Sequence, residues 1–291
     1  MTKQHIEALR DIIERRAGTI LPGAANALTA RVVEDLGFEA LYLTGAGLTN
    51  MYLGVPDLGF MDLSQLVDHT MMIRGVTDLP VIVDADTGFG NAVNVHRSVK
   101  MLEMAGASAI QLEDQASPKR CGHFDGKQLI GAQEMAAKIR AATDARREGM
   151  LIMARTDARA GEGFQAALDR AALYEEAGAD IIFFEAPQSM EEIAAIPKTI
   201  KAPLLLNIVV GGKTPTVSTA QAKDLGFSLL LYANAALQGA LQGTQAALAS
   251  LRDNGSIDEA SGLLASFKER QRMVAKPQFD AMDETYASEQ S

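Results

Sequence analysis

The residues best equipped for chemistry in this chain stand at the ends of short apolar runs. Asp84-Ala85-Asp86 ends the run 80–84, Glu113-Asp114 ends 108–113, and Arg155-Thr156-Asp157 ends 151–155. Thr44-Gly45-Ala46-Gly47 ends 40–44, Glu185 ends 180–185 and Asn207 ends 204–207. If the runs are neighbouring strands, several carboxylates, an arginine and an asparagine converge on one place. Carboxylates crowded together repel and raise one another's pKa values unless a cation neutralises them. Their oxygens are hard ligands that suit Mg2+ or Mn2+, held through one or two carboxylates with several retained waters. Strand side chains repeat every second residue, so Asp84 and Asp86 share a face. Asp84, Asp86 and Glu113 are therefore read as a metal site. Asp114 and Asp157 admit two readings, as members of that site or as N-caps of the following helices.

A second reactive centre is Cys121. It lies in the segment 117–127, rich in Gly and charge, which reads as a mobile loop over the strand ends. Lys119, Arg120 and His123 flank it, and positive neighbours stabilise a thiolate and make it a competent acid or base near neutral pH. A lone cysteine is ordinarily a small buried hydrophobe, but the flanks here are polar. His5, His69 and His96 sit in helical stretches without a companion at ligand spacing, so surface or core roles suit them. Gly211-Gly212-Lys213-Thr214-Pro215 lacks Walker spacing and reads as a lid or turn.

The elements that would position these groups are short apolar runs, and eight candidates are present: 19–22, 40–44, 80–84, 108–113, 151–155, 180–185, 204–207 and 228–232. Their apolarity is continuous, as in parallel strands buried on both faces. Helical patterns separate them, for example Ala132–Ala145 and 164–177. Asp35-Leu36-Gly37, Ala105-Gly106, Ala177-Gly178 and Asp224-Leu225-Gly226 repeat one plan: a helix ends, glycine supplies a left-handed cap, and a strand begins. That grammar predicts an α/β fold of the (β/α)8 barrel type, with catalytic groups at the carboxyl ends of the strands. An open doubly wound sheet is the alternative, but its glycine fingerprint after the first strand is missing. After the eighth strand, 233–251 and 257–273 read as helices, followed by a polar tail. One closes the barrel; the other is surplus, and either packs on a neighbouring subunit or folds back. The chain 1–291 is thus expected to be a single barrel domain, with 233–291 as the closing and C-terminal helices.

Composition narrows the partners. The 291 residues carry 27 Lys+Arg against 37 Asp+Glu, a formal charge of −10. A pI near 5.0 argues against a nucleic-acid surface. One cysteine excludes an intrachain disulfide and any zinc site needing two thiolates. The charged, amphipathic start is unlike a secretory signal, and no window is apolar enough to span a membrane, so a cytoplasmic location is expected.

Lys119-Arg120-Cys121-Gly122-His123, together with Val83-Asp84-Ala85-Asp86-Thr87-Gly88-Phe89-Gly90, resembles the isocitrate lyase/phosphoenolpyruvate mutase superfamily. The resemblance runs from about Leu21 to Tyr232. It includes Tyr42-Leu43-Thr44-Gly45, Leu112-Glu113-Asp114-Gln115, Met153-Ala154-Arg155-Thr156-Asp157 and Phe184-Glu185-Ala186. It implies a (β/α)8 barrel, Mg2+, an enolate-type intermediate, a small di- or tricarboxylate substrate, and homotetramers that exchange a C-terminal helix. Carried over by motif, Tyr42, Thr44, Gly45 and Ala46 would hold the oxo-acid carboxylate. Asp84 and Asp86 would bind the metal, with Asp57 and Glu113 in its outer shell and Asp57 also near substrate. Arg155 would contact substrate oxygens, and Glu185 and Asn207 would orient the second carboxylate. Cys121 would protonate the leaving carbanion, with Lys119 and His123 beside it and Gly122 against substrate. Gly-Gly-Lys-Thr-Pro after Asn207 is similar to the 2,3-dimethylmalate lyase branch, and methylisocitrate-type cleavage is the neighbouring expectation. Oxaloacetate hydrolysis, or a carboxyphosphonoenolpyruvate or phosphoenolpyruvate mutase reaction on the same site, is the alternative chemistry. A metabolite-binding barrel without turnover is the non-enzymatic one.

Overall fold

A computed structural model of the chain describes residues 2–120 and 126–288. Eight parallel strands close on themselves in sequence order. They are β1 (Thr19–Ala24), β2 (Leu41–Leu43), β3 (Val81–Asp84), β4 (Ala109–Glu113), β5 (Leu151–Thr156), β6 (Ile181–Phe184), β7 (Leu204–Asn207) and β8 (Leu229–Tyr232). β8 returns to β1 with Thr19 opposite Leu229 and Pro22 opposite Tyr232. The helices are α1 (Thr2–Glu14), α2 (Ala27–Asp35), the single turn α3 (Gly45–Leu48), α4 (Leu63–Arg74) and α5 (Ala92–Met104). They continue as α6 (Ala132–Ala145), α7 (Phe164–Glu176), α8 (Met190–Thr199) and α9 (Thr219–Leu225). The chain divides into two compact units, one ending at Ala235 and the other beginning at Ala236.

Strand alternation sorts the apolar residues into two layers. Tyr42, Ile82, Ala109, Leu151, Met153, Ile181, Phe183, Leu205, Leu229 and Leu231 fill the barrel interior, joined by Leu9, Ile12 and Ile13 of α1. Their neighbours in sequence, such as Leu43, Val83, Ile110, Ile152, Ile182 and Leu206, pack outward in the layer shared with the helices. Both faces are buried, which is why the runs are continuously apolar. The four repeated glycines take the left-handed backbone expected of them, with φ of 78° at Gly37, 94° at Gly106, 102° at Gly178 and 89° at Gly226.

The second unit departs from expectation. A 20-residue helix, α10 (Ala235–Asn254), begins at the unit boundary and has no buried residue. The single helix expected over 257–273 is a 3-10 turn, Glu259–Ser261, followed by α11 (Phe267–Met273). Asp258 caps the short turn, Gly262 ends it at φ 68°, and Ser266 starts α11 by accepting from the Glu269 amide. The stretch read as a polar tail folds into α12 (Lys276–Ser288).

Candidate active site

The polar residues at the strand ends continue the interior phase of each strand. Asp84 is two past Ile82, Glu113 four past Ala109, Arg155 two past Met153, Glu185 two past Phe183, and Asn207 two past Leu205. Side chains that alternate along a strand must therefore point up the barrel axis at its carboxyl mouth. They are buried there: Asp84, Glu113, Arg155, Glu185 and Asn207 are all under a tenth exposed.

On the β3 side, the Asp84 carboxylate accepts from the Gly45 amide at 3.3 Å and from the Asp86 amide at 3.2 Å. Asp86 holds a left-handed backbone, φ 48°, which an aspartate tolerates better than most residues. Lys119 buries its ammonium between Asp57 Oδ2 at 2.7 Å and Asp86 Oδ1 at 2.9 Å. Burial alone would strip that proton, but Asp86, Glu113, Asp84 and Asp57 together raise the Lys119 pKa well above its ordinary value. Burial also pushes Asp86 up to about 7, opposed by Lys119 and assisted by Asp84. Glu113 rises too, through burial against the pull of Arg155 and Lys119, and burial with Asp84 raises Tyr42.

Across the mouth, Arg155 is braced by carboxylates. Its Nε and one terminal nitrogen each donate to Asp157 at 2.9 Å, while Glu113 and Glu185 lie 3.5 and 3.6 Å away. The guanidinium lies 5.0 Å from the Phe183 ring centroid. Asp157 also accepts from Lys127 at 2.9 Å. Burial would raise its pKa, but Arg155 and Lys127 overcome that and hold it at about 2. Asn207 Nδ2 donates to Glu185 at 3.2 Å.

Part of this set lines a cavity of about 70 Å3: Tyr42, Thr44, Ala46, Asp57, Asp84, Lys119 and Arg120, then Arg155, Phe183 and Glu185, and then Asn207, Val209, Leu231, Ala233 and Asn234. Thr44 and Gly45 are engaged locally: the Thr44 hydroxyl caps α3 by accepting from the Gly47 amide. Cys121, Gly122 and His123 lie outside the described residues.

Neither Asp114 nor Asp157 caps a helix with its side chain. Asp114 accepts from Thr156 and Tyr174 at 2.8 Å each and from the Asp157 amide at 2.8 Å. Asp157 precedes a 3-10 turn but makes no side-chain cap bond. Sequence reasoning passed over Gln111, which accepts from the Tyr42 hydroxyl and donates to Glu113 at 3.3 Å. Its signal was legible, a polar residue two before Glu113 in an otherwise apolar strand. Lys127 and Asn234 were passed over as well.

The carboxylate set fits a hard divalent cation. A Cβ on Gly45 would stand 3.0 Å from Asp84 Oδ2 and 3.3 Å from Asp86 Oδ1, so glycine keeps the space beside both oxygens clear. Glu113 Oε1 is buried without a hydrogen bond among the described residues. Among those residues no three His, Cys, Asp or Glu side chains are arranged to hold a metal ion together, so a cation here would rest on the Asp84–Asp86 pair and its own waters.

A closed eight-stranded parallel barrel with a carboxylate-lined mouth defines an α/β barrel of the enzyme type. The family profile for phosphoenolpyruvate phosphomutase matches residues 9–252, and the chain belongs to that family, within the isocitrate lyase/phosphoenolpyruvate mutase superfamily. It is 48% identical to the 2-methylisocitrate lyase of Aeropyrum pernix, covering 85% of this chain and 80% of that one. It is 39% identical to the 2,3-dimethylmalate lyase of Eubacterium barkeri, covering 96% and 97%. A solved structure of oxaloacetate acetylhydrolase with 3,3-difluorooxalacetate superposes with a TM-score of 0.90 at 31% identity, covering 97% of both chains.

Proposed function

We propose that the protein is a carbon–carbon lyase, dependent on Mg2+ or Mn2+, that cleaves a substituted malate of the 2,3-dimethylmalate or 2-methylisocitrate type. The products are pyruvate, or a related 2-oxo-acid, and a second carboxylic acid. The observation that carries the reading is the buried Asp84, bonded by the Asp86 amide, facing Arg155 across one small cavity. The two lyases at 48% and 39% identity support it.

Asp84 and Asp86 would hold the cation, with Asp57 and Glu113 beyond them, and it would offset negative charge on substrate oxygens. Tyr42, Thr44, Gly45 and Ala46 receive the carboxylate of the oxo-acid half. Arg155, fixed by Asp157, donates to the oxygen that becomes the carbonyl. The hydroxyl proton passes to a basic group of the mouth, the C–O bond becomes C=O, and the adjacent carbon–carbon bond breaks. Its electron pair moves to the neighbouring carbon and spreads into the second carboxylate, which Glu185 and Asn207 orient. Cys121 then delivers its proton to that carbon, and Lys119, Arg120 and His123 favour the thiolate left behind.

The reading extends to a cytoplasmic homotetramer with exchanged C-terminal helices. Leu241, Leu248, Phe279 and Met282 are large, apolar and at least half exposed, as surfaces covered by a second copy would be. Oxaloacetate hydrolysis is the second reading, favoured by the likeness to oxaloacetate acetylhydrolase.

The test is pyruvate release through a lactate dehydrogenase couple, with and without Mg2+, on both malates, with oxaloacetate loss followed separately. Cleavage of either malate, falling at least about 100-fold in Cys121→Ser, is expected. Consumption of oxaloacetate alone would move the function to the hydrolase, and a Cys121→Ser variant within about tenfold of wild type would remove the thiol as acid.

A further inference from the structure

The two walls of the cavity differ in kind. β3 carries the carboxylate pair, and β7 and β8 lie across the closed barrel from β3 and β4. The β7–β8 wall contributes Asn207, Val209, Leu231, Ala233 and Asn234, with two carboxamides and no charge.

Both carboxamide oxygens on that wall, Asn207 Oδ1 and Asn234 Oδ1, are buried without a donor among the described residues. The Asn207 amide is held in one orientation by the bond its Nδ2 donates to Glu185. No hydrogen bond among the described residues fixes the Asn234 amide. A half-turn about its last torsion exchanges oxygen for N–H, so it can donate to an oxygen anion. The backbone that bears it is firmly placed, since the Ala233 carbonyl oxygen would lie 1.9 Å from a Cβ on Gly23 of β1. A buried polar group without a partner is costly, and facing a substrate cavity it calls for a ligand group that completes it.

The two malates share the half that becomes pyruvate and differ in one arm, a carboxymethyl group in 2-methylisocitrate and a methyl group in 2,3-dimethylmalate. We propose that Asn234 determines specificity, pairing with the carboxylate of such an arm and so selecting a tricarboxylate over its methyl-bearing dicarboxylate analogue. This rests on the lyase reading and names its substrate class. A methyl arm leaves the amide unpaired, and sites built to hydrogen-bond an arm reject analogues lacking it by large factors.

The experiment compares kcat/KM for the two substrates in wild type, Asn234→Leu and the near-isosteric Asn234→Asp. Wild type is expected to prefer 2-methylisocitrate by at least about 100-fold. That ratio falls at least about 30-fold in Asn234→Leu, and further in Asn234→Asp, whose carboxylate repels the arm. A wild-type preference for 2,3-dimethylmalate, or a ratio unchanged in both variants, overturns the proposal. Should wild type cleave neither malate, the lyase reading fails and calorimetric binding decides the role of Asn234 separately. Tricarballylate and methylsuccinate differ by the same arm. Tricarballylate bound at least about tenfold tighter, with the difference lost in Asn234→Leu, supports the assignment, and equal affinities refute it.

Discussion

Replacing Asp157 by asparagine isolates what the brace on Arg155 is worth. Asp157 is 2% exposed and takes two N–H bonds from Arg155 and one from Lys127. Its pKa stands at about 2 against an ordinary 3.8. At 1.36 kcal/mol per pKa unit, that difference favours the ionised, folded form by about 2.5 kcal/mol. Breaking a buried pair from one side costs about 3–5 kcal/mol, because both cations are left facing an amide. The two routes agree on roughly 3 kcal/mol, which for a chain this long lowers Tm by about 5 °C. The sign with pH follows from a depressed acid: the stabilisation is complete above about pH 4 and is lost as pH falls towards about 2. Thermal unfolding followed by circular dichroism should show a constant deficit from about pH 8 to about pH 5 that shrinks below about pH 4. A drop under about 2 °C near neutral pH, or a deficit undiminished at about pH 3, would show that the charge of Asp157 is not what holds the brace.

Two further perturbations test the frame and the cation. Gly23→Ala places a methyl 1.9 Å from the Ala233 carbonyl oxygen, backbone that cannot yield; a loss of about 3 kcal/mol is expected, and wild-type melting would refute that packing. Asp86 has the opposite sign to Asp157: with its pKa raised to about 7, ionising it in the fold costs stability as pH rises. Chelator-treated protein should therefore melt lower at about pH 8 than at about pH 6, and added Mg2+ should raise Tm more at the higher pH. No Mg2+ shift at either pH would refute a metal at this pair.

The barrel was legible because both layers of each strand are apolar and the polar residues at its end break the run in phase. β5 and α6 fall where expected for that reason, and β1 runs on to Ala24 because Gly23 and Ala24 look like a turn in sequence while pairing with β2. The C-terminal unit was legible only in part. α12 presents Phe279, Met282 and Tyr286, spaced three and four apart, amid polar residues that made it read as tail. Gln111, Lys127 and Asn234 escaped for a different reason: a lone polar residue acquires meaning only from what faces it across the barrel, and strand order alone does not say what that is.

Charge explains why the two walls recognise by different means. Asp57 and Asp86 share a single ammonium, that of Lys119, and Asp84 lies beside them, accepting from the Asp86 amide. Arg155 is committed to Asp157, Glu113 and Glu185 before any substrate arrives. The β7–β8 wall itself carries no cation, so an anionic arm there is met by the Asn234 carboxamide. A carboxamide reads the number and direction of hydrogen bonds, whereas a lysine would welcome any anion. That is the discrimination a pocket needs when its rival substrates share every group but one.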